Sequence, residues 1–176
     1  MGLPGGMSIL TLPTTFDCLA SLESDAISAV KTGIPALADD SGLCVPALFG
    51  EPGVHSAYYA GREGKREERD ARNNAKLVEQ LRASGERTAF YYCVLVLVRT
   101  PHDPTPVIAD GEWHGEIVLE PRGTNGFGYD PYFLTVFGKT AAEMPAEAKN
   151  RVSHRARALA ALGAKLKGTG DPTPRP

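Results

Sequence analysis

The strongest structural signal in the chain is the ten-residue run AFYYCVLVLV at residues 89–98. The run is apolar throughout and rich in aromatic and β-branched residues, a composition typical of a strand covered on both faces. We therefore place it at the centre of a β-sheet. Weaker strand patterns around it predict the remaining strands, at residues 8–12, 34–38, 107–111, 112–119 and 132–136.

Helical periodicity occurs at three places around these strands. Residues 16–32 carry apolar side chains at the spacing of a helix with one buried face, and the pattern ends at Gly33. Residues 66–83 are densely charged at first and apolar later, which predicts a surface helix. Pro145 suits the first turn of a further helix, which continues through the Ala- and Leu-rich residues 154–167.

The alternation of strands and helices predicts an α/β fold with a mixed central sheet flanked by helices. The length of 176 residues predicts a single domain, which we assign to residues 1–167. Residues 168–176 are rich in Gly, Pro and Thr and are expected to form a flexible tail.

The overall composition excludes several classes of function. A net charge of −2 and a pI near 6.1 give no general attraction to nucleic acid polymers or to anionic membranes. No apolar run is long enough to span a bilayer, and the N-terminus lacks the charged-then-apolar pattern of a signal peptide. The three cysteines, Cys18, Cys44 and Cys93, form neither a CxxC pair nor a disulfide framework, so we expect a cytoplasmic, reducing environment.

Two adjacent carboxylates, Asp39 and Asp40, follow the predicted strand at residues 34–38 and precede Ser41 and Gly42. We interpret them as a strand end that opens into a loop, which is where an open α/β sheet presents groups to a ligand. Hard oxygen ligands of this kind suit Mg2+, which prefers one or two carboxylates together with substrate phosphates. Side chains alternate along an extended backbone, so only one of the two carboxylates can face a cleft. The alternative is that both of them cap a turn.

A glycine-rich segment with two aromatic residues spans residues 123–131. Glycines let a backbone approach a ligand closely, and either Phe127 or Tyr129 offers a ring face on which a purine can stack. Asp130 can accept hydrogen bonds from a base edge or from an arginine. The alternative is a tight hairpin whose aromatic side chains belong to the core.

Three polar residues near the C-terminus, Lys149, His154 and Arg155, form a further candidate cluster. Lys149 and Arg155 could meet the phosphates that a metal ion leaves uncovered. The alternatives are a solvated helix face for the two cations and, for His154, a helix-start residue with a satisfied local hydrogen bond.

The order and spacing of these segments resemble one known family. Together with residues 51–61, 93–96 and 111–115, they are similar to the non-canonical purine nucleoside triphosphate pyrophosphatases, the ITP/XTP pyrophosphatase or Ham1-like family. The resemblance runs from about residue 33 to residue 167. It implies an α/β fold and a Mg2+-dependent enzyme that splits ITP, dITP or XTP into the monophosphate and pyrophosphate. Members of the family form homodimers, so a homodimer is expected.

The resemblance also implies roles for individual residues. Asp40 matches the catalytic carboxylate that binds Mg2+ and helps to orient the attacking water. The positions that match substrate-contacting residues are Ser41, Phe127, Gly128, Tyr129, Asp130, Lys149, His154 and Arg155. Residues 127–130 match the base-binding loop, Lys149 a nucleotide contact, and His154 with Arg155 the reader of the 6-oxo group of the purine.

The first residues of the chain depart from the family pattern. Members begin with a strand that runs into a Ser/Thr-x-Asn-x-x-Lys loop, and nothing in residues 1–15 matches it. Cys18 and Leu19 stand where the first helix of the family has Glu and Asn. We therefore expect an N-terminally incomplete version of the fold. The alternative function is a catalytically impaired remnant of the family that binds nucleotides or dimerises.

Overall fold

The computed structural model describes residues 34–100 and 102–168. The predicted strand at residues 8–12, the predicted helix at residues 16–32 and the expected tail beyond Gly168 lie outside the described residues. Each helix in the described part of the chain is too short or too polar to pass through a lipid bilayer.

The sheet consists of β1 (Ala36–Cys44), β2 (Thr88–Val98), β3 (Val107–Ile117) and β4 (Phe133–Thr135). The spatial order of these strands is β1–β2–β3–β4, so the apolar run lies inside the sheet as predicted. Alternate side chains from Ala89 to Leu95 are buried and those between them are half-buried, so along this stretch one face of β2 is fully covered. On the other face, burial is complete only at Val96 and Val98. Every pairing among the described residues is antiparallel, whereas the sequence pattern predicted a mixed sheet.

The two adjacent carboxylates do not lie in a loop. Residues 39–42 are inside β1, where Asp39 is paired with Leu95 and Gly42 with Tyr92. The prediction of a strand end at this point is therefore wrong. β2 offers β1 a continuous row of backbone partners, and pairing the N–H and C=O groups of β1 with that row outweighs the turn preference of Asp, Ser and Gly.

β3 is a single strand across Gly111, although the sequence pattern divided it there into two. A Cβ atom at Gly111 would lie 2.5 Å from both the amide nitrogen of Ala158 and the carbonyl oxygen of His154. The glycine therefore allows a helix to approach the sheet closely and does not mark a turn.

Three α-helices accompany the sheet within the described residues: α1 (Arg66–Leu81), α2 (Ala146–Val152) and α3 (His154–Gly168). α1 agrees with the helix predicted at residues 66–83. The predicted C-terminal helix is divided in two, because the backbone of Ser153 is extended and interrupts the helical hydrogen bonds. A new helix therefore starts at His154 and packs across β2 and β3.

The covered face of the sheet carries two apolar clusters. In the smaller one, Cys93, Leu95 and Ala109 pack against Ala158 and Leu162 of α3. The larger cluster is built from all four strands, α1 and the segments between them, and contains Leu43, Val45, Tyr59, Leu77, Leu81, Ala89, Tyr91, Trp113, Ile117, Tyr129, Phe133, Ala141 and Met144. These clusters fix the position of α1 and α3 relative to β1, and the candidate site lies between those elements.

Candidate functional site

A cavity of about 800 Å3 lies where β1, α1, the loop at residues 125–130, α2 and the start of α3 meet. Its lining includes eight of the nine residues that the sequence singled out: Ser41, Phe127, Gly128, Tyr129, Asp130, Lys149, His154 and Arg155. Three segments that are far apart in the chain therefore converge on one cavity.

Asp40 is the one predicted site residue that is not part of the cavity lining. It lies in β1 between Asp39 and Ser41, and alternate side chains of a strand point to opposite faces. Because Ser41 lines the cavity, the Asp40 carboxylate belongs to the opposite face of the sheet and is not part of the lining. Within residues 34–100 and 102–168, no group of three or more His, Cys, Asp or Glu side chains is arranged to hold a metal ion. The catalytic and metal-binding role of Asp40 remains a prediction.

Asp39, the neighbouring carboxylate, pairs with Arg155. The guanidinium donates from Nε to Asp39 Oδ2 at 2.5 Å and from a terminal nitrogen to Oδ1 at 2.8 Å. Burial opposes ionisation, but the hydrogen bonds and charge of Arg155 hold the pKa of Asp39 below its usual value. The two-point pair ties the first turn of α3 to β1. The sequence did not predict the partner of Asp39, because strand alternation does not determine which of the two carboxylates contacts which residue.

Asp130 is buried and already engaged within the protein. Its Oδ2 accepts hydrogen bonds from Lys149 Nζ at 2.5 Å and from the backbone N–H of Phe127 at 2.9 Å. Its Oδ1 accepts a hydrogen bond from the hydroxyl of Tyr91 at 3.3 Å. Through these bonds Asp130 fixes the shape of the loop at residues 125–130 and holds Lys149 at the cavity.

The two aromatic residues of the loop have different environments. Tyr129 is 5% exposed, packs in the larger apolar cluster and donates its hydroxyl to the carbonyl of Ser56 at 2.9 Å. Phe127 is 55% exposed. The Arg66 guanidinium carbon lies 4.4 Å and Lys149 Nζ 5.2 Å from the centroid of the Phe127 ring. Phe127 is therefore the ring available for stacking, while the core alternative holds for Tyr129.

His154 combines burial with an unpaired ring nitrogen. The imidazole is 8% exposed and stacks on Tyr91, with the ring centroids 4.8 Å apart. Burial, reinforced by the positive charges of Arg155 and Lys149, lowers the pKa of His154 to about 4, so the ring is neutral at neutral pH. Its Nδ1 has no hydrogen-bond partner among the described residues. The local hydrogen bond of the alternative interpretation is therefore absent at this atom.

Sequence reasoning missed the contribution of α1 to the cavity. Arg66, Arg69 and Asp70, all in its first two turns, are part of the lining. The charge-dense start of this helix led us to predict a surface helix. The change from charged to apolar residues along it is the one feature of the pattern that could have indicated a further role. The charged residues of the lining are the cations Arg66, Arg69, Lys149 and Arg155 and the carboxylates Asp70 and Asp130. The cavity thus carries an excess of positive charge in a chain whose net charge is −2.

The α/β domain therefore has a cavity lined by an exposed aromatic ring, by a neutral imidazole with an unpaired nitrogen and by more cations than carboxylates. Such a lining suits a small anionic ligand with a planar ring. The chain belongs to the Ham1 family, whose sequence model matches residues 11–165. This match confirms the family resemblance found in the sequence motifs.

The curated relatives include two named dITP/XTP pyrophosphatases. The protein of Burkholderia pseudomallei (strain K96243) is 64% identical over 136 residues, which are 77% of this chain and 65% of the relative. The protein of Bordetella pertussis (strain Tohama I) is 60% identical over 146 residues, which are 82% of this chain and 68% of the relative. The chain thus spans about 65% of the length of the Burkholderia relative.

Solved structures share the fold. A HAM1 protein from Coxiella burnetii superposes with a TM-score of 0.79 at 42% identity, covering 88% of this chain and 78% of that one. The Ham1 protein of Staphylococcus aureus superposes with a TM-score of 0.76 at 37% identity, covering 85% of this chain and 75% of that one. The α/β fold class predicted from the sequence is confirmed.

Proposed function

We propose that this protein hydrolyses ITP, dITP and XTP to the nucleoside monophosphate and pyrophosphate, and so removes these nucleotides from the nucleotide pool. The observation that carries the proposal is that His154, whose buried Nδ1 has no partner among the described residues, lines a cavity together with the exposed ring of Phe127. The dITP/XTP pyrophosphatases among the relatives support the same substrate class.

Base selection follows from the chemistry of the purine 6-position. Hypoxanthine and xanthine carry an oxygen there, which accepts hydrogen bonds, whereas adenine carries an amino group, which donates them. A neutral imidazole with a proton on Nδ1 donates to the 6-oxo group and meets only hydrogen on adenine. In this proposal the base stacks on Phe127, while His154 and Arg155 read its 6-oxo group.

The positive side of the cavity suits the phosphates. Arg66, Arg69 and Lys149 would add charge-assisted hydrogen bonds to the phosphate oxygens. Asp40 lies on the other face of β1, so in this proposal the triphosphate extends from the cavity past β1. Asp40 would hold Mg2+ there together with substrate oxygens and water, and the ion would neutralise phosphate charge when bound. Hydrolysis adds one water across the α–β anhydride, and the Asp40 carboxylate would orient that water and take up its proton.

The remaining expectations concern the location, the oligomeric state and the partner of the protein. A cytoplasmic location is favoured by free thiols at Cys44 and Cys93 in the described part of the chain. A homodimer is proposed by analogy with the family, with residues 51–61 as a candidate contribution to the interface. The acidic balance of the chain favours a mononucleotide over a nucleic acid polymer as the partner.

A nucleotide-binding protein without catalysis is the second candidate. The position of Asp40 on the face of β1 opposite the cavity favours it, because the predicted catalytic carboxylate is then remote from the base site. Tight binding of IMP without turnover of any triphosphate would identify this alternative.

The deciding experiment measures pyrophosphate release from dITP and XTP, with dATP and dGTP as comparison substrates, in the presence of Mg2+ at mildly alkaline pH. We expect release from dITP and XTP that exceeds release from dATP at least tenfold and is abolished by Asp40→Asn. Glu116→Gln, which removes an exposed carboxylate elsewhere on the sheet, is the matched control and should leave the rate unchanged. Equal turnover of dATP, or full activity of Asp40→Asn, would refute the proposal.

A further inference from the structure

Helix α1 holds both backbone polar groups of Gly128. The Gly128 N–H donates to Asp70 Oδ2 at 3.0 Å, and the Gly128 carbonyl accepts a hydrogen bond from Asn74 Nδ2 at 2.9 Å. Asp70 and Asn74 are four residues apart, so they stand on the same face of the helix. One residue of the loop is thus clamped on both sides by one helix.

The clamp acts on a residue whose backbone is unusual. Gly128 has φ +61°, in the left-handed region, and a Cβ atom placed on it would meet nothing within 4 Å. The glycine is therefore required by its backbone conformation and not by lack of space. Asn74 is only 8% exposed, so water competes little for its hydrogen bond. The Asp70 bond holds the peptide between Phe127 and Gly128 in one orientation, and the Asn74 bond holds the peptide between Gly128 and Tyr129.

The same helix face also reaches the ring of Phe127. Arg66 lies one turn before Asp70, with its Nε 3.9 Å from Asp70 Oδ2. Its guanidinium carbon is 4.4 Å from the centroid of the Phe127 ring. Arg66, Asp70 and Asn74 therefore form a stripe with a spacing of four residues that contacts the side chain of Phe127 and the backbone of Gly128.

We propose that Asp70 and Asn74 are positioning residues that set base discrimination. By fixing the two peptides on either side of Gly128, they hold the ring of Phe127 in a constant relation to His154, so a bound purine presents its 6-position to the imidazole. The inference rests on the proposed function, because it assigns the loop to the base. The clamp is assigned to binding and not to the hydrolytic step, so its loss should be seen in the affinity for the purine base.

The test compares the affinities of IMP and AMP by calorimetry in four variants. Asp70→Ala and Asn74→Ala each remove one clamp bond and should lower IMP affinity about tenfold while shrinking the preference for IMP over AMP. Asp70→Asn keeps an oxygen acceptor for the Gly128 N–H and should retain most of the preference. Leu81→Ala removes a buried side chain at the far end of α1, so it should lower stability and leave the preference unchanged.

The outcomes separate this inference from the proposed function. A preference for IMP that falls no further in Asp70→Ala and Asn74→Ala than in Leu81→Ala would overturn the inference. Should Asn74→Ala not fold, Asp70→Ala carries the test, because the Asp70 side chain is 24% exposed and its truncation leaves little empty space. A wild-type protein that prefers IMP but releases no pyrophosphate from dITP would refute the proposed activity alone. Binding of neither monophosphate would refute both.

Discussion

His154 shows how a single buried residue can be costly to the fold and useful to a ligand. Its ring is stacked on Tyr91 and shielded from water, yet Nδ1 has no partner in the described part of the chain. An unsatisfied buried polar atom costs about 1–3 kcal/mol. In the proposed function, a purine that bonds to Nδ1 would recover that free energy, so the residue would favour a bound purine over an empty cavity.

The first prediction concerns the pH dependence of stability. The pKa of His154 is about 4 in the folded protein, against 6.5 for an unperturbed histidine, so between these values the unfolded chain takes up a proton that the folded protein does not. The free energy of unfolding should therefore fall as pH falls from 6.5 to 4, by on the order of 3 kcal/mol, with no further change from this group above or below that window.

Urea unfolding at several pH values across this window measures the effect. The groups that face His154 are Tyr91, Lys149, Arg155 and Asp39, and only Asp39 favours the protonated ring. His154→Phe keeps the stacked ring and removes the titration, so the difference between wild type and variant isolates the imidazole. A difference that does not change with pH would show that His154 is accessible to protons in the folded state.

The second prediction uses the same variant at neutral pH. His154→Phe removes the unpaired Nδ1 but keeps an aromatic ring against Tyr91, so we expect stability equal to wild type or about 1–3 kcal/mol higher. The preference for IMP over AMP should shrink, because a phenyl ring cannot donate to the 6-oxo group and only Arg155 remains to read it. His114→Phe changes an exposed imidazole outside the cavity and is the matched control. If His154→Phe kept the preference in calorimetric titrations, another group would have to read the base.

At the scale of secondary-structure elements, the site depends on how closely α3 approaches the sheet. Gly111 in β3 leaves room for the backbone of the first turn of α3. The Asp39–Arg155 pair then ties that turn to β1. The pair is partly exposed to solvent, so it adds little stability, and its main effect is to fix where the helix begins.

The third prediction tests how closely α3 packs against the sheet. It uses two glycine substitutions that should change the free energy of unfolding in opposite directions. Gly111→Ala would place a methyl group 2.5 Å from backbone atoms of Ala158 and His154, so α3 must move and stability should fall by about 1–3 kcal/mol. Gly163→Ala adds a methyl group inside α3 where nothing lies within 4 Å, so it should raise stability by about 0.5–1 kcal/mol. Urea unfolding measures both. Equal stability of the two variants would contradict the close approach at Gly111.

Elements and site residues differed in how far the sequence could predict them. The apolar run of β2 and the charged-to-apolar pattern of α1 were visible because periodicity and composition act locally. Three features of the site could not be predicted, because each depends on strand register and helix packing between distant segments. They are the burial of Tyr129, the exposure of Phe127 and the pairing of Asp39 with Arg155. Turn-forming residues at 39–42 misled the prediction, since pairing with β2 overrides local preference.

At the scale of the whole molecule, the attraction of anions depends more on where the charges lie than on the net charge. A net charge of −2 gives no attraction to phosphates at a distance, while the cavity concentrates four cations against two carboxylates. In the proposed function, this distribution would favour small anions that can enter the cavity. Extended polyanions, which bind to surfaces, would meet the acidic remainder of the molecule.

The last prediction tests this local field. Arg69 lines the cavity, and its guanidinium donates only to the carbonyls of Arg62 and Gly64 among the described residues, at 3.4 Å each. Arg69→Gln should weaken IMP binding by about three- to tenfold and change inosine binding less than twofold, because only IMP carries a phosphate. Added salt should weaken IMP binding in the same selective way.

The matched control for Arg69→Gln is Arg82→Gln, which removes an exposed arginine just after the end of α1, outside the cavity. It changes the net charge of the chain by the same amount, so a general field effect would weaken IMP binding equally in both variants. Calorimetric titration with IMP and inosine distinguishes the two cases. A loss of IMP affinity confined to Arg69→Gln would mean that the phosphate is held by the cations of the cavity. Equal losses in both variants would mean that the overall charge of the protein, and not the placement of its arginines, determines the affinity.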